Sequence, residues 1–296
     1  MSDLKNVFSP LERKHFVVSA QEPVISFAGP AKANLELPVS QLCTAAQMQG
    51  PRYDALCELT ARTQKTHRKT WEFVYIYRVL EHYGKLASGQ RGLGFGCGTE
   101  PLPAAFAARG CEVLATDAAL EHAVQSGWTN GQHSQSIDDL NRDKLCDDAA
   151  FRERVRFEVA DMNDIAHRYD GQFDFTWSAC AFEHLGSIER GLDFFVNSMR
   201  TLRSGGVAVH TTEFNLTSDS VTVDDQNTVL FRRQDIERLC RRLAGLGYEV
   251  APLNLEAGEG ALDRHIDVAP YSQDNHLRLL IGRYVTTSIG VIARKP

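Results

Sequence analysis

Arg91-Gly92-Leu93-Gly94-Phe95-Gly96-Cys97-Gly98-Thr99-Glu100-Pro101-Leu102-Pro103 places glycines at four alternate positions just ahead of an Ala-rich stretch. A strand that turns sharply into a helix needs residues without a Cβ at the turn. They reach unusual φ values and let a cofactor lie against the backbone. The spacing departs from the G-x-G-x-x-G fingerprint that seats a pyrophosphate on a helix N-terminus. Glu100 and Pro101 stand where the third glycine and its approach would be. A carboxylate there repels a pyrophosphate and suits a cation, so the turn predicts a cationic nucleoside as cofactor.

Working outward, alternating strand and helix patterns occupy 91–96, 101–109, 111–116, 119–126, 155–160, 173–178, 189–203, 206–212, 233–246, 248–255 and 284–294. That order predicts an α/β, Rossmann-like, doubly wound, mostly parallel seven-stranded sheet. Upstream, residues 1–37 read as an irregular arm or edge strand. From Val39 to Tyr83 the apolar spacing is helical, through Leu42, Ala45, Leu56, Trp71, Val74, Tyr75 and Leu80. The expected organisation is an N-terminal arm and helical preface over 1–85, then a catalytic domain over 86–296. Two intervals exceed what the alternation needs. Asp117 and Asp161 lie 44 positions apart, and 256–283 interrupts the approach to the last strand, which predicts inserted loops near 129–150 and 256–283.

The 296 residues are 43% hydrophobic with a net charge of −6, enough for one large core with additions. The basic pairs Arg13-Lys14, Arg232-Arg233 and Arg241-Arg242 are short and scattered, which argues against nucleic acid as a partner. Seven cysteines without a C-x-x-C pair support neither a disulfide framework nor a zinc knuckle. No apolar run approaches the roughly 20 residues of a membrane span. The expectation is a cytoplasmic protein without membrane insertion, with a homodimer left open.

The acids beyond the turn extend the nucleoside reading. Asp117 ends the second strand, 19 residues past Gly98, where a carboxylate can accept from both ribose hydroxyls; its alternative role is to cap a helix starting at Ala118. Asp161 closes the next strand and would accept from an adenine amino group, with Met162 packed on the ring, or else cap residues 164–169. S-adenosylmethionine is the cationic nucleoside cofactor that fits.

With these residues in order, the chain resembles the class I S-adenosylmethionine-dependent methyltransferases over roughly residues 65–255. The likeness is carried by Gly96-Cys97-Gly98-Thr99, Asp117, Asp161, the strand Phe173-Asp174-Phe175-Thr176-Trp177-Ser178 leading to Glu183-His184-Leu185, and Leu202-Arg203-Ser204-Gly205-Gly206. Within the class it resembles a bacterial group associated with surface-glycan and other sugar-containing assembly clusters. Arg68-Lys69-Thr70-Trp71-Glu72-Phe73, Gly92 to Gly96 and Val209-His210-Thr211-Thr212-Glu213-Phe214-Asn215 carry that narrower likeness. The resemblance implies methyl transfer to a small-molecule or glycan acceptor. Two departures stand out. The acid usual two residues before the first motif glycine is Gly94, and the third glycine is Glu100. The inference is a carboxylate moved across the turn, so that Glu100, or Glu72, receives the methionine ammonium.

Trp71, Gly94, Gly96, Gly98, Glu100, Asp117, Asp161, Met162 and Ser178 are therefore the cofactor-binding candidates. A hydroxyl acceptor must lose a proton, and His184 and then His210 are the candidate general bases, with Glu213 beside them and Glu183 as an orienting acid. His210, Glu213, Asp263, His265 and Asp267 would form a divalent-metal site if the fold gathered them. O-methylation of a sugar, glycan or other small molecule leads. The alternatives are N-methylation of an amino sugar or amino-acid-like metabolite, a nicotinamide-dependent reductase, and a non-catalytic nucleoside-binding protein.

Overall fold

A computed structural model describes residues 32–63, 66–119, 136–225, 227–272 and 274–296. The arm over 1–31 lies outside them, and so do most of the expected helix at 119–126 and the first part of the 129–150 insertion.

In chain order the strands are β1 (Ser40–Leu42), β2 (Arg91–Gly94), β3 (Glu112–Asp117), β4 (Val155–Val159), β5 (Phe173–Ala179), β6 (Leu202–Asn215), β7 (Glu249–Val250), β8 (Leu253–Asn254), β9 (Leu279–Ile281) and β10 (Tyr284–Arg294). The helices are α1 (Pro51–Leu59), α2 (Arg68–His82), α3 (Leu102–Ala108), α4 (Asp148–Arg154), α5 (Ile188–Ser198), α6 (Arg233–Gly245) and α7 (Ala261–Arg264). One sheet runs in the order β4-β3-β2-β5-β6-β10-β1-β8, with β7 and β9 also on β10. The first five strands are parallel; β10 is antiparallel to β6 and to β1.

Period-2 alternation along the central strands feeds two cores. Val207 and Val209 of β6, with Phe175 and Trp177 of β5, face a core completed by α1 to α4, where Tyr53, Trp71, Phe106 and Phe151 are buried. Ala208 and Phe214 face the other side, with Leu192 and Phe195 of α5 and Ile236 and Leu239 of α6. Both faces of the sheet are covered, as a parallel sheet requires.

The seven expected strands are all there, and the described residues hold ten because of local chemistry. Pro252 has no N–H to give the ladder and divides 248–255, so β7 pairs with β10 while β8 pairs with β1. At the other end, β1 corrects the helical expectation for 39–42. Its backbone fills the free edge of β10, held by the Tyr75 hydroxyl donating to the Val39 carbonyl at 2.6 Å and by the Ile292 N–H donating to Ser40 Oγ at 3.0 Å. The close approach of α2 to β10 depends on a glycine, since a Cβ at Gly290 would lie 2.0 Å from the Tyr75 ring. The 256–283 insertion folds back on the same edge. Asp263 accepts from the Ala45 N–H at 2.8 Å and Arg278 donates to the Cys43 carbonyl at 3.0 Å. All seven cysteines are free.

Candidate functional site

The turn after β2 is laid across its neighbours. Phe95 donates its N–H to the Trp177 carbonyl of β5 at 2.9 Å, and Cys97 donates to the Thr116 carbonyl of β3 at 3.0 Å. Gly96 and Gly98 take φ values of +59° and +49°, a left-handed backbone that suits glycine. A Cβ at Gly96 would also come within 2.8 Å of Ala181 Cβ and 3.3 Å of Met162 Sδ. Asp117 reaches back to this turn, accepting from the Gly98 N–H at 3.1 Å and from the Ala118 N–H at 2.8 Å. Its carboxylate thus both caps its own chain and closes the turn. Ala160, one residue before Asp161, donates to the Asp117 carbonyl at 2.9 Å, so the ends of β3 and β4 lie side by side. Asp161 is exposed and accepts from the Asn163 N–H at 2.8 Å; this is a tight Asx turn in place of the expected cap of 164–169. The fold therefore brings Gly96, Gly98, Asp117, Asp161 and Met162 together at the carboxyl ends of β2, β3 and β4. That cradle, which a Cβ at Gly96 would fill, fits a nucleoside.

Gly94 serves packing. A Cβ there would meet Cys97 Sγ and the Trp177 ring, each at 2.4 Å. The indole occupies that space and its Nε1–H donates to Glu100 Oε1 at 2.6 Å. Burial pushes the Glu100 carboxyl up to about 8, against the opposing pull of the Trp177 N–H and of Lys69. Trp177 thus lies between Gly94, whose missing side chain it replaces, and Glu100, to which it donates.

Three expected site residues lie elsewhere. Trp71 is fully buried, stacked on Tyr75 at 4.7 Å and donating to Gln47 Oε1 at 2.7 Å; it is a core group. Ser178 and His210 are also fully buried and bonded to each other at 2.8 Å, while the second His210 nitrogen meets Ser198 Oγ at 3.2 Å. Phe182, Phe194 and Phe195 surround that imidazole, and burial lowers it to about 3. A neutral histidine with both nitrogens engaged in an aromatic box has no path to a substrate proton, so His210 is corrected from candidate base to core group. The proposed metal set is not gathered either. Asp263 sits beside Arg278 at 3.6 Å, Asp267 accepts from His276 and the Ser272 N–H, and His265 is exposed.

His184 is partly exposed. Its Nδ1 donates to the Asn227 carbonyl at 2.8 Å, which leaves Nε2 as the acceptor, 3.9 Å from Glu183 Oε1.

Glu213 belongs to a buried cluster that sequence spacing did not reveal. Arg68 Nη1 reaches Glu72 Oε1 at 3.2 Å, Ser288 Oγ at 3.1 Å and Cys180 Sγ at 3.5 Å, while its other terminal nitrogen pairs with Glu213. Lys69 Nζ pairs with Glu72 Oε2 at 3.2 Å, and Thr212 donates to Glu183 Oε2 at 3.0 Å. Burial opposes ionisation of Glu72, but Lys69, Arg68 and the hydrogen bonds from Ser288 and Cys180 outweigh it and hold the carboxyl below its usual range. For Glu213 burial wins over Arg68, and the carboxyl is raised. Glu213 Oε2 is buried and has no hydrogen-bond partner among the described residues. Cys180 stands at φ +48° beneath these acids, a strained conformation of the kind that collects at functional sites. Ligand atoms of Cys180, Glu183 and Glu213 lie within 4.8 Å of one another. Burial first, then Glu183 and Glu72, keeps that thiol protonated, and Arg68 already holds one oxygen of Glu213. The signal in the sequence was polarity in apolar elements: Arg68 and Glu72 four apart in an otherwise buried helix, and Thr211-Thr212-Glu213 at the end of an apolar strand.

Comparison with known families matches residues 93–210 to a methyltransferase domain. No curated protein matches the chain. Among solved structures, an S-adenosylmethionine-dependent methyltransferase from Mesorhizobium loti is similar at 13% identity and a TM-score of 0.44, covering 74% of this chain and 97% of that one. A phosphoethanolamine N-methyltransferase from Haemonchus contortus, in complex with S-adenosylmethionine, is similar at 17% identity and a TM-score of 0.43, covering 84% and 60%. A methyltransferase from Galdieria sulphuraria is similar at 18% identity and a TM-score of 0.42, and the match spans 60% of its length. At these scores the strand order and the turn, rather than the neighbours, carry the assignment. The chain therefore holds, over residues 93–210, a methyltransferase domain of the S-adenosylmethionine-dependent class.

Proposed function

We propose that the whole chain methylates a hydroxyl on a small polar acceptor, a sugar or glycan unit, with Glu213 taking the proton. The observation that carries this reading is the buried Glu213 Oε2, without a hydrogen-bond partner among the described residues, amid hydrogen-bonding groups at the carboxyl ends of β5 and β6. S-adenosylmethionine, when bound, supplies a methyl group on a good leaving group, so alignment and water exclusion are most of what remains for the protein to do. Gly96, Gly98, Asp117, Asp161 and Met162 hold the nucleoside, and Glu100 lies toward the methionine end. Arg68 fixes the Glu213 carboxyl through one oxygen and leaves the other to accept from an acceptor hydroxyl. Burial raises that carboxyl above its ordinary value, which makes it a stronger base than a surface glutamate. In this arrangement the preface within 1–85 supplies the acceptor wall through α2, and 86–296 supplies the cofactor cradle.

N-methylation of an amino sugar is the second reading, favoured by the three carboxylates Glu72, Glu183 and Glu213 facing two cations, Arg68 and Lys69. A screen of sugars and amino sugars, run with Glu213→Gln and His184→Gln, decides between them. For a hydroxyl acceptor Glu213→Gln lowers kcat by roughly 10²–10⁴ and leaves S-adenosylhomocysteine affinity near wild type. If Glu213→Gln keeps its turnover while His184→Gln loses it, the base is His184. If both keep turnover on an amine, the N-methyl reading stands.

A further inference from the structure

Between the end of α1 and the start of α2 lies a cavity of about 240 Å³ lined by Arg62, Thr63, His67, Lys69 and Phe73 among others, with no carboxylate among the described residues of its wall. The Arg62 guanidinium lies over the Phe73 ring at 4.7 Å. Its Nε is buried without a hydrogen-bond partner among the described residues. A buried guanidinium donor left unmatched is unfavourable; Arg62 forms no direct ion pair among the described residues, and the carboxylates of Asp143 and then Glu100 favour its charge only from a distance. Lys69 brings a second cation, more than a third of its side chain exposed, whose Nζ also pairs with Glu72 Oε2 at 3.2 Å. His67 accepts the Lys69 N–H at its Nδ1, at 3.1 Å, so its ring proton resides on Nε2 and the ring offers a further donor. Burial, with His276, Arg68 and Lys69 nearby, keeps that imidazole neutral by lowering it to about 4.

We propose that this cavity is an oxyanion subsite that takes one carboxylate or phosphate group. Two of its groups are permanent cations, the one ring-nitrogen acceptor, His67 Nδ1, is already taken by the Lys69 N–H, and an arginine fork matches a planar or tetrahedral oxyanion. The volume admits a single such group with its nearest carbons. Glu100 favours the charge on Arg62, after Asp143, and Lys69 favours the carboxylate of Glu100, so the subsite is electrostatically linked to the cofactor turn. The oxyanion then has two sources, the carboxylate of the cofactor's methionine or an acidic group on the acceptor. The proposal deepens the methyltransferase reading and rests on it for what delivers the anion.

Calorimetry on wild type and Arg62→Gln tests it with three probes: S-adenosylhomocysteine, its aminopropyl analogue lacking the carboxyl group, and inorganic phosphate added to the S-adenosylhomocysteine complex. A fall of roughly tenfold or more in S-adenosylhomocysteine affinity, with the aminopropyl analogue unchanged, assigns the subsite to the cofactor carboxylate. Unchanged S-adenosylhomocysteine affinity with loss of phosphate binding assigns it to an acidic acceptor. If wild type binds S-adenosylhomocysteine and the variant alters neither affinity, the subsite is overturned and the methyltransferase reading survives. If wild type binds no S-adenosylhomocysteine, that reading fails instead, and the phosphate arm run on the free protein decides the subsite alone. An unchanged melting temperature for Arg62→Gln confirms that the loss is not one of folding.

Discussion

The cofactor turn and the acid cluster sit at the same edge of one sheet and are built in opposite ways. The turn is local: Gly96, Gly98, Asp117 and Met162 come from successive strand ends, tied by the backbone bonds of Phe95, Cys97 and Ala160 and by the Asp117 carboxylate on the Gly98 N–H. The cluster is long-range: Glu72 from α2 meets Cys180 after β5 across 108 positions and Ser288 of β10 across 216. A turn can be lost without loss of the core, because it is held by backbone. The cluster cannot, because its charges are buried and hold one another. Binding and folding should therefore separate at the first region and coincide at the second.

The sharpest break of that contrast is Arg68→Met. It strips one partner from Glu213 and from Glu72 and leaves carboxylates buried with less compensation, a change that costs about 3–5 kcal/mol for buried pairs. Urea unfolding should show the loss, with activity falling in parallel. Stability near wild type would mean that water already reaches the cluster, and the contrast with the turn would vanish.

A smaller effect is expected at Gly94. Restoring the acid common to the class, Gly94→Asp, forces a side chain into space held by Trp177 and Cys97 at 2.4 Å. Overpacking of this kind costs about 1–3 kcal/mol. The variant should melt lower and bind S-adenosylhomocysteine no better than wild type. Tighter binding would show that the new carboxylate reaches the ammonium and that Trp177 yields.

The same contrast explains what was legible in the sequence. The turn and both terminal acids announce themselves because backbone requirements and strand ends leave fixed spacings. Strand-helix alternation places β2 to β6 and β10 for the same reason. What was hidden depended on partners distant in sequence. His210 looks like a catalytic residue at a strand end, yet β5 and α5 supply Ser178, Ser198 and three phenylalanines that enclose it. Trp71 carries no mark that separates a core indole from a stacking platform. Leu42 has helical spacing to Ala45 and Ala46, and only the open edge of β10, some 250 residues later in the chain, makes its segment a strand. Arg68 carries no mark of its burial either, since an arginine in an amphipathic helix ordinarily faces water.

The smallest effect tests Glu100, where the local and the long-range features meet. Burial raises its carboxyl to about 8, so at pH 7 the free protein holds it mostly protonated. The sign follows from proton binding: between about 4.5 and 8 the folded chain keeps a proton that the unfolded chain has released, so this group makes stability fall as pH rises through that window. Glu100→Gln should flatten that slope and stabilise the protein most above pH 8. A cofactor ammonium docking on Glu100 favours the carboxylate and expels the proton. Titrations of S-adenosylhomocysteine at pH 7 in buffers of different ionisation enthalpy should then report release of a fraction of one proton, absent in Glu100→Gln. Equal enthalpies in all buffers would leave Glu100 as a partner of Trp177 alone, and the ammonium would fall to Glu72 across the boundary between the two regions.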